Sequence, residues 1–306
     1  MRLNLFSISY AGLWGQDSLP LDDFIGKAAS LGYDGVMLAG KRPHLSVLDT
    51  DDRRIDQLRL QLTKYNVSCD VIGAYTDFSM SSSELPSTEL QISYLEQLAR
   101  IAQQLDTKVV RVFTAYEKPT EAPLACWRRL TGIFQEACDR VAEFGVTLAI
   151  QNHHDVAIAT PALLEFLADI DRPNCKLGFD AWSPALRGED LYEAAKLAAP
   201  HTVITTNADY VRFPQFQYRP ELVNYSRNDV DMVRAVPFGE GFIDFGAFFA
   251  GLTEGGFDGI ATYEMCSPLR GGGSVENLDH CATRFLNWMS EHNFTGESSS
   301  GSQSSP

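Results

Sequence analysis

The chain alternates eight times between a short apolar segment and a longer segment with helical periodicity. The short segments are about six residues long, and in the longer ones apolar residues recur three and four positions apart. Eight consecutive βα units are the pattern of a closed (β/α)8 TIM barrel, whose functional residues lie at the C-terminal ends of its strands. The predicted strands span residues 3–10, 35–39, 69–75, 108–114, 147–152, 176–181, 202–207 and 259–265.

The segments between the predicted strands have the apolar stripes of amphipathic helices. The stripes cover residues 24–31, 95–105, 130–144, 163–167, 191–198, 245–252 and 278–288, with a weaker one at 55–62. A doubly wound open sheet is the alternative, but it usually carries a glycine-rich phosphate turn after its first strand. Residues 9–15 read Ser-Tyr-Ala-Gly-Leu-Trp-Gly and lack the GxGxxG pattern, which favours the barrel.

The length of 306 residues fits one domain of this kind. We expect a single barrel over residues 1–293. Residues 294–306 are rich in Ser and Gly and poor in large apolar residues, so we expect a disordered tail there.

The net charge and the cysteines indicate what kind of ligand the protein binds and in which cellular compartment it works. With 25 basic and 40 acidic residues the net charge is −15, which disfavours a nucleic-acid partner and favours a small polar substrate. The six cysteines form no CxxC pair, and the N-terminus has no apolar signal core. No apolar run reaches the length that crosses a membrane. We therefore expect a cytoplasmic protein with no membrane or nucleic-acid partner.

Polar residues stand at the ends of several predicted strands. Asp180 and Glu264 end strands six and eight, and His153 follows strand five. Carboxylates and an imidazole that converge from separate strands suit a divalent ion, and this ligand set favours Mn²⁺ or Mg²⁺ over a thiolate-bound structural zinc. Because neighbours on a strand face opposite ways, His153 and His154 cannot both point inward, and His153 shares a face with Gln151. The alternatives are a helix cap or salt bridge for the carboxylates and a core position for the histidine.

Further strand-end residues suit a polyhydroxylated ligand. Aromatic faces and cations are expected to bind the substrate at Trp14, Lys41, His44, Arg111, Trp182 and Arg270. Arg111, inside strand four, is expected to pair with a neighbouring carboxylate. The Arg-Gly-Gly-Gly-Ser run at 270–274 leads into the last helix and suggests an oxyanion cradle, with an ordinary turn as the alternative.

The connection at residues 210–241 is too long for a bare link between a strand and a helix. Two roles fit it: a lid over the site, or a contact with a second subunit in a homo-oligomer.

These strand ends resemble those of the xylose isomerase-like barrels, a superfamily of sugar phosphate isomerases and epimerases that includes inosose dehydratases and endonuclease IV. In that family a Glu in a Glu-Asn-His run, an Asp, a His and a Glu end strands five to eight and bind the metal. Asp180 and Glu264 match, whereas Gln151-Asn152-His153 carries Gln in the Glu position. Strand seven reads Thr206-Asn207-Ala208-Asp209 where the family often has His-x-Lys-Asp, so the His is absent. The segment at 236–244 also resembles the family's stretch before its seventh helix.

The two departures affect the activity that the resemblance implies. The family's epimerases exchange protons through the glutamates of strands five and eight, and Gln151 cannot take a proton. Three interpretations remain. The metal is kept with Gln151 and Asn207 (or Thr206) as neutral oxygen ligands, and His153 or Glu264 supplies a single base; or the protein is a metal-free lyase; or it binds a sugar without turning it over.

The first interpretation leads us to expect a metal-assisted sugar isomerase or epimerase-like enzyme acting next to a carbonyl. A carbon–oxygen lyase, acting by β-elimination from a 3-keto sugar or inosose, is the alternative enzyme, and a sugar-binding barrel is the alternative class. Endonuclease activity is disfavoured by the net charge and by only six histidines.

Overall fold

The computed structural model describes residues 1–79 and 85–295 and confirms the closed barrel. Eight parallel strands pair in the order β1-β12-β7-β6-β5-β4-β3-β2, so that the first and last strands of the barrel are neighbours. The barrel strands are β1 (Arg2–Phe6), β2 (Gly35–Ala39), β3 (Ser68–Gly73), β4 (Val109–Val112), β5 (Thr147–Gln151), β6 (Cys175–Gly178), β7 (Thr202–Asn207) and β12 (Ile260–Tyr263).

Several of these strands are shorter than the sequence predicts. Residues 74–75, 113–114 and 179–181 continue apolar runs but leave the ladder and begin the loops at the C-terminal face. The apolar residues at these positions, such as Ala74 and Phe179, are still buried in the hydrophobic core although they no longer pair in the sheet. These loop beginnings carry most of the candidate site.

Helices cover the outside of the barrel. They are α1 (Leu21–Leu31), α2 (Asp52–Tyr65), α3 (Ser87–Gln104), α4 (Pro123–Ala142), α5 (Thr160–Ile170), α6 (Trp182–Arg187), α7 (Leu191–Ala198), α8 (Phe245–Glu254) and α9 (Val275–Glu291). The weakly patterned α2 begins at Asp51, whose side chain accepts a hydrogen bond from the Arg54 amide, and ends at Asn66 in a left-handed conformation. The short α6, directly after β6, was not predicted.

The strand residues divide between two apolar layers. Phe6, Met37, Val71 and Ala149 point into the barrel, while the alternate residues of each strand pack against the helices. The same alternation directs Gln151 into the barrel, and it places Thr206 and Asn207 on opposite faces of β7.

The connection after β7 forms two antiparallel ribbons. β8 (Asp209–Phe213) pairs with β11 (Met232–Val236), and β9 (Phe216–Arg219) pairs with β10 (Asn224–Arg227). All residues of β9 are exposed and β10 is nearly so, hence the outer ribbon projects into solvent.

The first and last βα units are joined by hydrogen bonds between side chains and backbone. Gln16 Nε2 donates to the Met265 carbonyl at 2.8 Å, and the Val275 amide donates to Asp17 Oδ2 at 3.2 Å. The Ser9 hydroxyl accepts a hydrogen bond from the Met265 amide at 2.9 Å. These bonds close the barrel on its C-terminal face.

Within residues 1–79 and 85–295, no helix has the length and apolar character needed to cross a lipid bilayer. The expected tail at 294–306 lies outside the described residues except for its first two positions.

Candidate active site

Three side chains from three neighbouring strands form a buried hydrogen-bonded cluster. Gln151 Nε2 donates to Asp180 Oδ2 at 2.6 Å and to Thr206 Oγ1 at 2.9 Å. Thr206 Oγ1 in turn donates to Asp180 Oδ2 at 3.3 Å. All three residues are at most 5 % exposed. The structure therefore brings together Gln151 and Asp180, as the sequence predicts, and adds Thr206.

Asn207 does not join this cluster. Its side-chain amide donates to the carbonyl oxygens of Thr262 at 3.0 Å and Thr205 at 3.3 Å, on the side of β7 that faces away from Asp180. Thr206 occupies the inward position instead because side chains alternate along a strand. Of the two strand-seven alternatives, Thr206 is the one that contacts Asp180.

Asn152 holds the end of β6 in place. Its Nδ2 donates to the Asp180 carbonyl at 2.9 Å, and its Oδ1 accepts from the Asp180 amide at 2.8 Å. The Ser183 hydroxyl donates to the Asn152 carbonyl at 2.7 Å. Asn152 thus fixes the backbone that carries the Asp180 carboxylate.

The cluster contains oxygen atoms that suit a hard cation. Asp180 Oδ1 and Gln151 Oε1 are buried, and neither has a hydrogen-bond partner in the described part of the chain. Burial raises the pKa of Asp180 to about 7, and the nearby Glu264 adds to the rise, while the Gln151 amide opposes it. Unpaired carboxylate and amide oxygens are ligands that Mg²⁺ and Mn²⁺ accept. The site has few acidic ligands, however. In residues 1–79 and 85–295, no three His, Cys, Asp or Glu side chains are grouped so that they could bind a metal ion.

Glu264 follows β12 and lies within electrostatic range of Asp180 and Arg111. Burial raises the pKa of Glu264, and the positive charge of Arg111 and a hydrogen bond with Cys266 oppose the rise. A carboxylate whose pKa is raised is a stronger proton acceptor than an ordinary one.

The two histidines after β5 do not follow strand alternation. The strand ends at Gln151, and His154 has a positive φ of 67°, so both rings stay close to each other. The alternation used to choose His153 over His154 therefore does not apply at these two positions, and the choice of His153 stays a prediction. The His154 amide donates to His153 Nδ1 at 2.8 Å, which leaves the proton of a neutral His153 on Nε2. Burial is the main reason that the pKa of His153 is lowered to about 4, and His154 and Arg111 add to it.

Aromatic rings surround these histidines. The His154 ring stacks between Phe113 and Tyr116, with centroids 4.6 and 4.2 Å away. Trp182 lies 5.5 Å from the His153 ring, and its buried Nε1 has no partner. The predicted Trp14 is 45 % exposed on the loop after β1.

Arg111 and Lys41 lie at the ends of β4 and β2. Arg111 does not form the expected ion pair: its Nη1 donates to the Ala74 carbonyl at 3.0 Å, and its guanidinium lies 4.0 Å from the Phe113 ring centroid. Asp180 follows β6, two strands from β4, and Glu264 follows β12, on the opposite side of the barrel from β4. Lys41 Nζ lies 3.6 Å from the ring centroid of Tyr75.

Two of the expected substrate-binding residues are engaged by the protein itself. His44 is buried against Phe24, with Nδ1 at 3.0 Å from Ser7 Oγ and Nε2 at 3.2 Å from the Leu19 carbonyl. Neither ring nitrogen is free for a ligand, so His44 belongs to the core. Arg270 is exposed and pairs with Glu240 at 3.4 Å.

The glycine-rich loop before α9 is a capped turn. Asn277 Nδ2 donates to the carbonyls of Arg270 and Gly272, and Ser274 caps the helix. The Asp17 carboxylate already accepts a hydrogen bond from the Val275 amide. A negative charge at this helix N-terminus repels an anion, which argues against the predicted oxyanion cradle.

Thr206 was expected only as an alternative to Asn207, and Tyr75 was not expected as a site residue. Thr206 stands in the family's His position but is a common strand residue, and Tyr75 ends an apolar run. Only their position relative to Asp180 and Lys41 makes them candidates.

Comparisons with known proteins agree with this architecture. A family model described as xylose isomerase-like TIM barrel matches residues 25–284. A 3-dehydroshikimate dehydratase of Bacillus anthracis is 22 % identical over 223 residues, which are 69 % of this chain and 74 % of the relative.

Solved structures share the fold at low sequence identity. The probable 3-DHS dehydratase AsbF of Bacillus anthracis has a TM-score of 0.72 at 18 % identity and covers 94 % of this chain and 99 % of its own. A D-allulose 3-epimerase from Methylomonas sp. gives 0.72 at 16 %, covering 95 % and 98 %. The IolI protein, whose structure contains a zinc atom, gives 0.74 at 17 %, covering 95 % and 99 %.

Proposed function

Because the chain belongs to the xylose isomerase-like TIM barrel family, we propose that it is an enzyme that moves a proton at a carbon next to a carbonyl of a small polyhydroxylated substrate. The observation that carries this proposal is the cluster of Gln151, Asp180 and Thr206 beside Glu264. This cluster is polar and buried and contains a carboxylate. It lies at the C-terminal ends of the strands, where barrel enzymes have their active sites.

Glu264 is the side chain best suited to accept the proton. Gln151 stands where a second carboxylate would be needed for two-base epimerisation, and an amide has no basic group. With one base, the proton removed from one carbon can be returned to the neighbouring carbon, which interconverts an aldose and a ketose. We therefore favour isomerisation of a sugar or keto-sugar over epimerisation.

A divalent ion, Mn²⁺ or Mg²⁺, would be held by Asp180, Gln151 and Glu264. Such an ion polarises a substrate carbonyl and lowers the pKa of the adjacent C–H. The unpartnered Asp180 Oδ1 and Gln151 Oε1 support this assignment. Asp180 would bind it as the carboxylate, because a cation stabilises the charged form.

Dehydration is the second candidate. The hydrogen bond from the His154 amide leaves His153 with its proton on Nε2, and a neutral imidazole in this form donates a hydrogen bond to a departing hydroxyl. Glu264 as base and His153 as donor are the two groups that β-elimination of water requires. The likeness to a 3-dehydroshikimate dehydratase supports this candidate.

Deuterium exchange tests the chemistry common to both candidates. We expect the protein, loaded with Mn²⁺ in D₂O, to incorporate deuterium next to the carbonyl of D-allulose or 3-dehydroshikimate. Glu264→Gln should slow the exchange by a factor of about 10² or more, whereas Glu165→Gln, on the exposed face of α5, should not. An unsaturated product that absorbs in the ultraviolet identifies dehydration. Binding without exchange in the wild type would show a sugar-binding barrel instead.

Elemental analysis tests the metal. We expect one divalent ion per chain, lost in Asp180→Ala and in Glu264→Ala. A metal-free protein whose thermal midpoint ignores added Mn²⁺ would contradict this assignment. We also propose a reducing, cytoplasmic location, which the six free cysteines support.

A further inference from the structure

Arg111 is a buried cation without a directly paired carboxylate, although Glu264 lies within electrostatic range. It is 1 % exposed, and its Nε has no hydrogen-bond partner among the residues that the structure describes. The bond to the Ala74 carbonyl satisfies one of its five N–H groups, and within residues 1–79 and 85–295 it has no salt bridge. Removing an unpaired charge from water is costly, so an arginine in this position normally has an anionic partner.

The chain does not lack acidic residues that could pair with it. It has 40 of them, and other arginines use them, as Arg129 does with Glu121 and Arg172 with Asp139. Around Arg111 the neighbours are instead aromatic. The rings of Phe113, Tyr75 and Phe6 have their centroids 4.0, 5.1 and 5.7 Å from its Cζ. Cation–π contacts stabilise the guanidinium but supply no negative charge of their own.

Lys41 brings a second cation to the same place. Its Nζ lies 3.6 Å from the ring centroid of Tyr75, the ring that Arg111 also contacts. Burial lowers the pKa of Lys41, and repulsion by Arg111 adds to the effect. Lys41 forms no salt bridge within the described ranges. Two cations held on one ring without a carboxylate between them attract an anion.

Glycine at position 73 creates the space for this arrangement. A Cβ there would lie 2.8 Å from the end of Phe6 and 3.1 Å from Arg111 Nη2. The close approach of the backbone lets the arginine lie across the barrel beneath the substrate-facing surface. A larger residue would displace the guanidinium.

The two cations approach the proton-transfer centre from two sides. Arg111 lies on β4, next to β5 with Gln151 and opposite β12, which Glu264 follows. Lys41 follows β2, which is opposite β6, the strand before Asp180. The barrel's usual phosphate site, at the helix after the last strand, is occupied by Asp17. Beside Lys41, the arginine fork suits bidentate binding of a planar carboxylate, so we take a carboxylate as the ligand and inorganic phosphate as its competitor in the test.

We infer that Lys41, Arg111 and Tyr75 form a carboxylate-binding subsite, and that the substrate carries a carboxylate at the end remote from its reacting carbon. This inference rests on the proposed function for the position of the reacting carbon. The subsite itself depends only on the two cations.

Acetate and acetamide test the subsite without knowledge of the substrate. The two have the same shape but differ in charge. At constant ionic strength, we expect acetate to raise the thermal midpoint of the wild type and acetamide to leave it unchanged. Lys41→Met should weaken the apparent affinity for acetate about tenfold or more. Arg42→Met is the matched control, because Arg42 is the exposed neighbour that pairs with Asp49.

Three results would overturn the inference. They are an equal response to acetate and acetamide, an acetate response that survives in Lys41→Met, and a stronger response to inorganic phosphate than to acetate. Arg111→Lys keeps the charge and should retain part of the response. Because Arg111→Met removes a buried side chain and threatens folding, the conclusion is drawn from Lys41→Met.

Failure of the subsite and failure of the proposed function give different results. Deuterium exchange into 3-dehydroshikimate, which carries a carboxylate, that is unaffected by Lys41→Met would leave the chemistry standing and remove the carboxylate subsite. Binding of acetate and of 3-dehydroshikimate, both weakened by Lys41→Met but with no exchange, would leave the subsite standing and remove the proposed chemistry.

Discussion

The side-chain amide of Gln151 donates a hydrogen bond of 2.6 Å to the carboxylate of Asp180 between the ends of two neighbouring barrel strands. A glutamate at position 151 would instead place two carboxylates side by side, which requires a shared proton or a cation. Gln151 therefore stabilises the cluster when no metal ion is bound. It also reduces the negative charge that the cluster offers to a metal ion.

Gln151→Glu should tighten the binding of Mn²⁺ by about tenfold or more, because it adds a negative ligand beside Asp180. Without metal, the variant should unfold at a lower temperature than the wild type, since the two carboxylates repel each other. Titration calorimetry with Mn²⁺ and thermal unfolding in EDTA measure the two effects. Gln103→Glu, on the exposed part of α3, serves as the control. Unchanged affinity in Gln151→Glu would remove position 151 from the metal site.

Thr206→His should also tighten the metal, whereas Asn207→His should not. Thr206 contacts Asp180, and an imidazole there faces the cluster. Asn207 is fully buried, and its amide bonds to the Thr262 carbonyl, so a histidine there breaks a buried hydrogen bond at a cost of about 1–3 kcal/mol. Mn²⁺ titration and urea unfolding of the pair distinguish the two positions. Equal metal binding by both variants would contradict the assigned faces of β7.

Asn152→Ala should lower the free energy of unfolding by about 1–3 kcal/mol, because two buried backbone groups of Asp180 lose their partners. Metal affinity should fall as well, since the carboxylate is no longer fixed. Asn228→Ala, at an exposed position between the ribbon strands, is a control for the loss of an amide. The contrary result would be a stable variant with normal Mn²⁺ affinity.

His44→Gln should destabilise the protein without changing acetate or sugar binding. Burial lowers the pKa of His44 below its usual 6.5, so the unfolded chain takes up a proton more readily as the pH falls. The contribution of His44 to stability is therefore complete above that value and is lost as the pH falls below it. The difference in unfolding free energy between wild type and variant should shrink from neutral pH to about pH 5. His280→Gln, at an exposed position of α9, is the matched control. Weakened ligand binding in His44→Gln would show that His44 belongs to the site.

The outer ribbon of β9 and β10 should mediate association between two copies of the chain. Tyr218 and Tyr225 are exposed with their rings 5.2 Å apart, and a two-stranded ribbon on its own is marginally stable in water. We expect a dimer in light scattering, and a monomer of unchanged unfolding free energy when both tyrosines are replaced with Ser. If the wild type is instead a monomer and the double variant binds the substrate more weakly, the ribbon is a lid over the site.

The barrel could be predicted from the sequence because eight apolar segments and their helices repeat with a regular period. The ends of the strands were less predictable. Residues 179–181 continue the apolar run of β6 although the ladder stops at Gly178, and the short α6 that begins at Trp182 has too few residues for a periodic signal. The pattern of apolar residues in a sequence indicates which residues are buried. Residues just after a strand can remain buried although they no longer form hydrogen bonds with the neighbouring strands.

The candidate site was predictable in its residue types more than in its geometry. Asp180 and Gln151 were expected together and are hydrogen-bonded, but the choice between Thr206 and Asn207 depended on which face of β7 turns inward. Among the described residues Arg111 has no ion pair, because its neighbours are the ring of Phe113, two positions on, and the rings of Tyr75 and Phe6 from other strands. Such neighbours depend on tertiary contacts that one sequence does not display.

The hydrogen bonds between the first and last βα units also constrain synthesis of the chain. Gln16 and Met265 are 249 positions apart, and Asp17 and Val275 are 258 apart. During translation, β1 has an unpaired edge on one side until β12 has left the ribosome. Exposed edges of this kind pair readily with other chains. Nearly complete nascent chains are therefore the species that most need a chaperone, and loss of the C-terminal unit would leave that edge open permanently.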